Sequence, residues 1–530
     1  MRTPTILCTS LAMIFLFAAP GLTQEEKPHL IQSLSDKNQQ TRASAARELA
    51  KMGPAAKPAV PYLIKALKDP DLDVRVEVIR ALGSIGPAAK DAIPDLFQIL
   101  KEEDILFELL RHDEGQLIAC SALQLTQVQF SAISLQVVFP DVIQWVRDDK
   151  ARLIRASSYA LEEIGPSAVP FLVKQVSGEK VDTNVCKLTT SLLSEFGCLS
   201  VSAVPALIRL LDHDNPDVRG QSTHALAWIL ATPEKGRKSQ TSAEGKNIQR
   251  GSEFVHAKQT AVAALIKTLT KDADVTVRWA AASALSMQRA TPAIPALLDR
   301  MEKEQGRRDH FAACLGEIGP EALPAILNII ADERKTVDFR RMALYSLRLM
   351  LTPYSVTAHL DKGSQKKAAV VLKKVLKDEN EDLRSDAVRL LETIGVNARE
   401  AVPDLIESLK DPSLHFRISA AKAIYAIDHS NLSGLPVLID LLDDDSIRES
   451  ATEVIQLIAQ FGDKAAPAVP KLIRGLNDSN SDIRLAAVKA LGKIGSAAKG
   501  AIPYLEQAVK NHEELRMDAQ HSLEQIKKSR

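Results

Sequence analysis

The sequence predicts an all-α chain, a right-handed α-solenoid of about fourteen stacked helix pairs. Three observations predict it. One unit recurs: residues 53–86 (GPAAKPAVPYLIKALKDPDLDVRVEVIRALGSIG) and 462–495 (GDKAAPAVPKLIRGLNDSNSDIRLAAVKALGKIG) share their landmarks position by position. The landmark opening each unit falls at Pro28, Pro61, Pro94, Pro140, Pro170, Pro205, Ala263, Pro295, Pro324, Val370, Pro403, Pro436, Pro470 and Pro503. That is a base period of about 33 residues, in the range of helix-pair repeats. Apolar residues follow helical spacing, and no strand alternation can be placed.

The chain opens on a targeting pattern. Arg2 supplies a positive charge, Ile6 to Ala19 is apolar, and Pro20-Gly21 break the run before polar Gln24. The run has signal-peptide length and is too short to span a bilayer. Residues 1–23 are therefore expected to be a signal peptide, cleaved between Gly21 and Gln24, and residues 24–530 an exported solenoid. No later stretch reaches about 18 uninterrupted apolar residues, so no membrane span is expected in the mature chain. Export places the cysteines in an oxidising space. Five in 530 residues make no disulfide scaffold, and Cys120, Cys186, Cys198 and Cys314 read as small buried hydrophobes.

Within a unit the order of elements follows from residue chemistry. Pro61 can open a helix, where its missing N–H costs nothing. Leu63, Ile64 and Leu67 form that helix's apolar face, and Asp69-Pro70 end it. Asp73 is the expected cap of the second helix. Val74, Val78, Ile79, Ala81, Leu82 and Ile85 form its stripe, and Gly83 and Gly86 end it. Neither helix can bury its stripe alone, whereas stacked neighbours can. Alanines in the second helices (Ala45, Ala281, Ala343, Ala387, Ala420, Ala487) imply close helix approach.

This unit resembles the HEAT repeat, and more narrowly the short phycobilisome-lyase-like HEAT repeat. The resemblance rests on the proline landmarks, the Leu-Ile pair and the Asp-x-Arg element, seen as Asp73/Arg75, Asp217/Arg219, Asp382/Arg384 and Asp482/Arg484. It implies that these charged residues form structural ladders between neighbouring repeats rather than a site. It also implies that second helices line the concave side. Insertions near 101–113, 233–256 and 352–366 depart from the period.

Catalytic patterns are sought and not found. The sequence holds no phosphate-binding Gly-rich loop, no His-Glu-x-x-His, no Gly-x-Ser-x-Gly and no Cys-x-x-Cys. HEAT-like hydroxylases hold iron through several His-Glu dipeptides; here only His512-Glu513 and the weaker His112-Asp113-Glu114 echo that pattern. No catalytic residue, metal site or cofactor is expected. A HEAT-like enzyme or enzyme subunit of hydroxylase or bilin-lyase type is the alternative reading. Lys+Arg and Asp+Glu are 67 each, so nucleic acid is not an expected partner.

The expected function is a scaffold or adaptor that binds another protein along the concave face, and the chain is expected to be a monomer. Glu77, Arg80 and Ser84 lie opposite the apolar stripe. Carried through the repeats, the Arg80 and Ser84 positions hold Tyr159, His224, Trp228, Met287 and Tyr345, where solvated charge would be expected. These five are the candidate partner-binding residues. The same positions later hold Arg389, Lys422, Lys489 and Lys493, a candidate basic patch for an anionic polymer.

Overall fold

The computed structural model describes residues 26–102, 149–178, 181–231, 251–304, 306–352, 360–444 and 447–528. The expected signal peptide, Pro140, Cys120, residues 103–113 and 233–250 of two insertions, and 353–359 of the third lie outside them. The chain forms two compact units, Met1–Ala261 and Val262–Arg530, with the boundary inside one helix.

The first unit holds α1 (Glu26–Ser33), α2 (Gln39–Met52), α3 (Val60–Ala66), α4 (Leu72–Ile85), α5 (Ile93–Glu102), α6 (Asp149–Ile164), α7 (Val169–Gln175), α8 (Thr183–Glu195), α9 (Val204–Leu210) and α10 (Pro216–Leu230). Helix α11 (Ser252–Lys271) carries the boundary. The second unit continues with α12 (Val275–Met287), α13 (Ile294–Lys303), α14 (Arg308–Ile318), α15 (Leu323–Ala331), α16 (Val337–Leu351), α17 (Lys362–Val375) and α18 (Glu381–Ile394). It ends with α19 (Val402–Ser408), α20 (Leu414–Ile427), α21 (Gly434–Leu441), α22 (Ala451–Gln460), α23 (Val469–Gly475), α24 (Ser481–Ile494), α25 (Ile502–Asn511) and α26 (Arg516–Lys528). Odd-numbered helices are first members of pairs and even-numbered helices second members. Among the described residues there are twenty-six α-helices and no strand, and twelve of the successive first and second helices are seen packed as pairs. The chain is all-α, and each unit is a solenoid of stacked pairs.

Proline decides where most first helices start. Pro61, Pro94, Pro170, Pro205, Pro295, Pro324, Pro403, Pro470 and Pro503 each occupy the second helical residue. A helix cannot run back through that point, because proline lacks the N–H and its ring meets the carbonyl four residues earlier. The two positions without proline show the converse. Helix α11 begins at Ser252, well before Ala263, and α17 begins at Lys362, well before Val370. The ends of the second and third expected insertions are thus helix. Asp361 caps α17 by accepting from the Ser364 N–H at 2.6 Å.

The repeat expected at Pro140 is paired differently. Helix α6, assigned to it by spacing, packs on α4 and α5 and so completes the pair opened by Pro94. Arg152 on α6 donates to Asp73 on α4 at 2.5 Å. Gly83 lies against Ala160, where a Cβ would stand 3.0 Å from the Ala160 Cα. Gly83 therefore serves close approach inside α4 and does not end it. Gly86, at φ +69°, does that, since the left-handed conformation at a helix C-terminus favours glycine.

The turn between the two helices also differs in its cap. Asp71, not Asp73, accepts the Val74 N–H at 3.0 Å and caps α4. Leu63, Val74, Ile79 and Leu82 of this pair are fully buried, each such side chain contributing about 1.5–3 kcal/mol. Cys186, Cys198 and Cys314 are buried thiols. Burial, with the Asp182 charge behind it, pushes the Cys186 thiol up.

One repeat places an arginine at a helix end where several others place glycine. Helix α12 ends in a Schellman motif: Ala290 N–H donates to Leu285 O and Arg289 N–H to Ser286 O. Arg289 holds the left-handed residue at φ +49°, where Gly53, Gly86, Gly395, Gly462 and Gly495 stand in other repeats. Its side chain has no ion pair among the described residues, and its Nε is buried without a hydrogen-bond partner there. Arg289→Gly is expected to stabilise the second unit by about 1 kcal/mol, because a side chain at positive φ is strained. A urea midpoint that stays put or falls would contradict this.

Candidate functional site

The charged turns come first, because they set the register of everything else. Each regular turn follows one rule. An acid at position i accepts the backbone N–H of i+2, which caps the second helix, and an arginine follows at i+6. Asp69, Asp71 and Arg75 fill these places, as do Asp378, Asn380 and Arg384, and Asp478, Asn480 and Arg484. The arginine Nη1 donates to two carbonyls of its own turn: Arg75 to Asp69 and Pro70, Arg219 to His213 and Asp214, Arg384 to Asp378 and Glu379, Arg484 to Asp478 and Ser479.

Several of these arginines also reach the acid of the following turn, Arg340 through Nη1 itself. Arg42 meets Asp69 at 2.7 Å in the first unit. In the second unit Arg278 meets Glu304 at 2.6 Å, Arg340 meets Asp378 at 2.6 Å, Arg384 meets Asp411 at 3.3 Å and Arg484 meets Glu514 at 2.7 Å. Burial is the largest influence on Asp69 and works against its ionisation, yet the hydrogen bonds from Arg42 and the Asp71 N–H, with the Arg42 and Arg75 charges, together hold the carboxyl below its usual range. The Asp-x-Arg aspartates do not pair with the arginine of their own element. Asp73 takes Arg152, Asp217 takes Lys187 at 2.8 Å and Asp382 takes Arg341 at 3.1 Å. Asp482 follows the Asn480 cap, to which its N–H donates.

On the first unit, Tyr159 lies on α6 with 51% of its surface exposed. Partial burial first, and the neighbouring Glu163 charge second, push its phenol up. His224 and Trp228 sit one turn apart on α10, both half-buried. The indole Nε1 donates to His224 Nε2 at 2.9 Å, with the rings edge to face at 6.0 Å. The α10 core is Val218, Ala225, Leu226, Ile229 and Leu230, so Trp228 is not part of it.

On the second unit, Met287 and Tyr345 are half-buried on α12 and α16. The Arg348 guanidinium stacks over the Tyr345 ring at 4.8 Å. Spacing missed a further aromatic, Trp279, one turn before Ser283 on α12. The equivalent place in residues 53–86 holds buried Val76. Arg307 stacks over Trp279 at 5.0 Å. His310 stands beside them, its Nε2 3.1 Å from the Trp279 carbonyl and 3.2 Å from Ser283 Oγ.

The expected basic patch is largely neutralised. Arg389 has Asp386 at 3.9 Å, Lys422 lies between Glu392 at 3.4 Å and Glu453 at 4.0 Å, and Lys489 has Asp518 at 3.4 Å. Successive second helices place acids beside these cations, which the row-by-row reading did not follow. Lys489, Lys493 and His521 edge a shallow recess of about 320 Å³ floored by Ala459, Ala486 and Ala490. Among the described residues, no three His, Cys, Asp or Glu side chains come together as a metal site. No single helix there is long and apolar enough to cross a membrane.

Comparison with known families agrees with this geometry. A family described as HEAT repeats matches residues 28–106, 368–456 and 435–524. A PBS lyase HEAT-like repeat matches residues 277–303, which span α12 and most of α13. No curated protein matches the chain. Among solved structures, the chain is similar to the Kap95:Nup1 complex at 11% identity, covering 94% of this chain and 66% of that chain, with a TM-score of 0.47. It is similar to importin beta at 14% identity, with coverages of 95% and 78% and a TM-score of 0.43. It is also similar to YibA of E. coli at 19% identity, with coverages of 53% and 98% and a TM-score of 0.38.

Proposed function

We propose that this HEAT-repeat chain is a non-catalytic scaffold that binds a partner protein on the outward faces of its second helices. One observation carries the reading: large aromatic side chains stand half-exposed on those faces, where packing between repeats does not require them. Tyr159, His224 and Trp228 do so on the first unit, and Trp279 and Tyr345 on the second. Side chains of this kind, rigid and amphipathic, are the usual anchors of protein interfaces. The same reading includes export, supported by Arg2 and the Ile6–Ala19 run; an intact N-terminus on the mature protein would refute that part.

The test is recovery of partner by Trp228→Ala and Tyr345→Ala, one variant for each unit. Circular dichroism first establishes that both stay folded. Truncating a buried interface aromatic costs about 2 kcal/mol or more, roughly a thirtyfold loss of affinity. Full partner recovery by both variants rejects the proposal.

A further inference from the structure

The second helices of the early second unit carry an excess of arginine with a distinctive arrangement. Residues 275–287, 307–318 and 337–351 hold six arginines against three carboxylates. Four of the six are held by acids: Arg278 by Glu304, Arg308 by Asp338, Arg340 by Asp378, and Arg341 by Asp382 and Asp386. The other two, Arg307 and Arg348, have no carboxylate partner among the described residues. Each is exposed and sits over an aromatic ring, Arg307 over Trp279 at 5.0 Å and Arg348 over Tyr345 at 4.8 Å.

Stacking of this kind orders a guanidinium while leaving its N–H edge open. That edge matches a carboxylate through two parallel hydrogen bonds. Arg307 is further fixed by a left-handed backbone at φ +51°, one of two non-glycine residues with positive φ among the described residues. Its strain holds a cation on the indole face instead of relaxing into the start of α14.

We propose that this face takes an extended acidic segment of the partner protein, with one carboxylate on Arg307 and another on Arg348. The proposal rests on the protein-binding reading and names the chemistry of the partner there. Trp279 and Tyr345 belong to α12 and α16, two layers apart, or about 20 Å at the usual helix spacing. An extended chain rises about 3.3 Å per residue, so the two acidic positions are about six residues apart. The aromatic edges beside the two cations accept apolar residues between them.

The probe is a fluorescein-labelled peptide with two Glu-Glu pairs separated by about five Ser and Gly residues. Its binding to the full chain is followed by fluorescence anisotropy at low salt. The expected result is saturable binding that weakens as salt rises and is absent for the peptide with Gln in place of Glu. Arg307→Gln with Arg348→Gln is expected to weaken it at least tenfold, whereas Arg389→Gln leaves it unchanged. The Glu-against-Gln comparison on the unaltered chain stands even if the double variant fails to fold. Equal binding of the two peptides, full binding by the folded double variant, or tighter binding of a single-stranded oligonucleotide of matching length overturns the proposal. If the Glu peptide fails while Tyr345→Ala still loses the natural partner, the acidic segment falls and the scaffold reading remains.

Discussion

Removing residues 503–530 is expected to destabilise the second unit by several kcal/mol and to make it aggregate. Helix α26, backed by α25, covers α24, whose Val488 and Leu491 are fully buried. Ser522 Oγ donates to Val488 O at 2.9 Å, and Gly492 receives α26 so closely that a Cβ there would stand 2.9 Å from the Ser522 Cβ. Ala519, Leu523 and Ile526 complete the seam. Each buried aliphatic side chain is worth about 1.5–3 kcal/mol, and stacked repeats draw much of their stability from such seams. The truncation also strips Arg484 and Lys489 of Glu514 and Asp518. Thermal unfolding and dye binding to exposed apolar surface check this. An unchanged melting curve would mean that α24 holds itself without its neighbour.

Arg340→Ala is expected to cost about 3 kcal/mol, more than any surface charge in the chain. The side chains of Arg340 and Asp378 are only 6% and 12% exposed, 2.6 Å apart. Arg340 also donates through Nε to the Ile330 carbonyl at 3.0 Å, closing the end of α15. Its loss leaves a carboxylate and a carbonyl in a water-poor seam, and breaking one partner of a buried pair typically costs about 3–5 kcal/mol. Arg340→Lys is expected to recover only part of it, since one ammonium cannot reproduce the guanidinium fork. A double-mutant cycle with Asp378→Asn measures the coupling. A cycle energy near zero would show that the rung between these repeats carries no stability. Exposed pairs such as Lys528–Glu524 are expected to contribute little by comparison.

The aromatic candidates show how far a row of equivalent positions reaches. The row through Arg80 and Ser84 located Tyr159, His224, Trp228, Met287 and Tyr345 because a helix repeats its faces every three to four residues. It passed over Trp279, one turn away, and said nothing of Arg307 or Arg348. Cation stacking joins residues from different helices or from off-row positions. The same limit made Arg389, Lys422 and Lys489 look like a bare basic stripe, although their acid partners sit one row or one repeat aside.

By itself the sequence determined the repeat, its two helices and most of their starting points. Those features are local: a proline fixes φ and denies a hydrogen bond wherever it stands, and an apolar stripe of helical period declares a buried face. Only the tertiary structure decided which helices pair. Helix α6 joins α5 across 46 intervening residues and lies on α4, where Ala160 fits against Gly83, and spacing along the chain cannot encode those contacts. Only the tertiary structure also showed that the arginine six residues past each turn acid ties two repeats together. Its Nη1 obeys the local turn, while in Arg42, Arg278, Arg384 and Arg484 another nitrogen answers to a carboxylate roughly one repeat away, placed there by stacking.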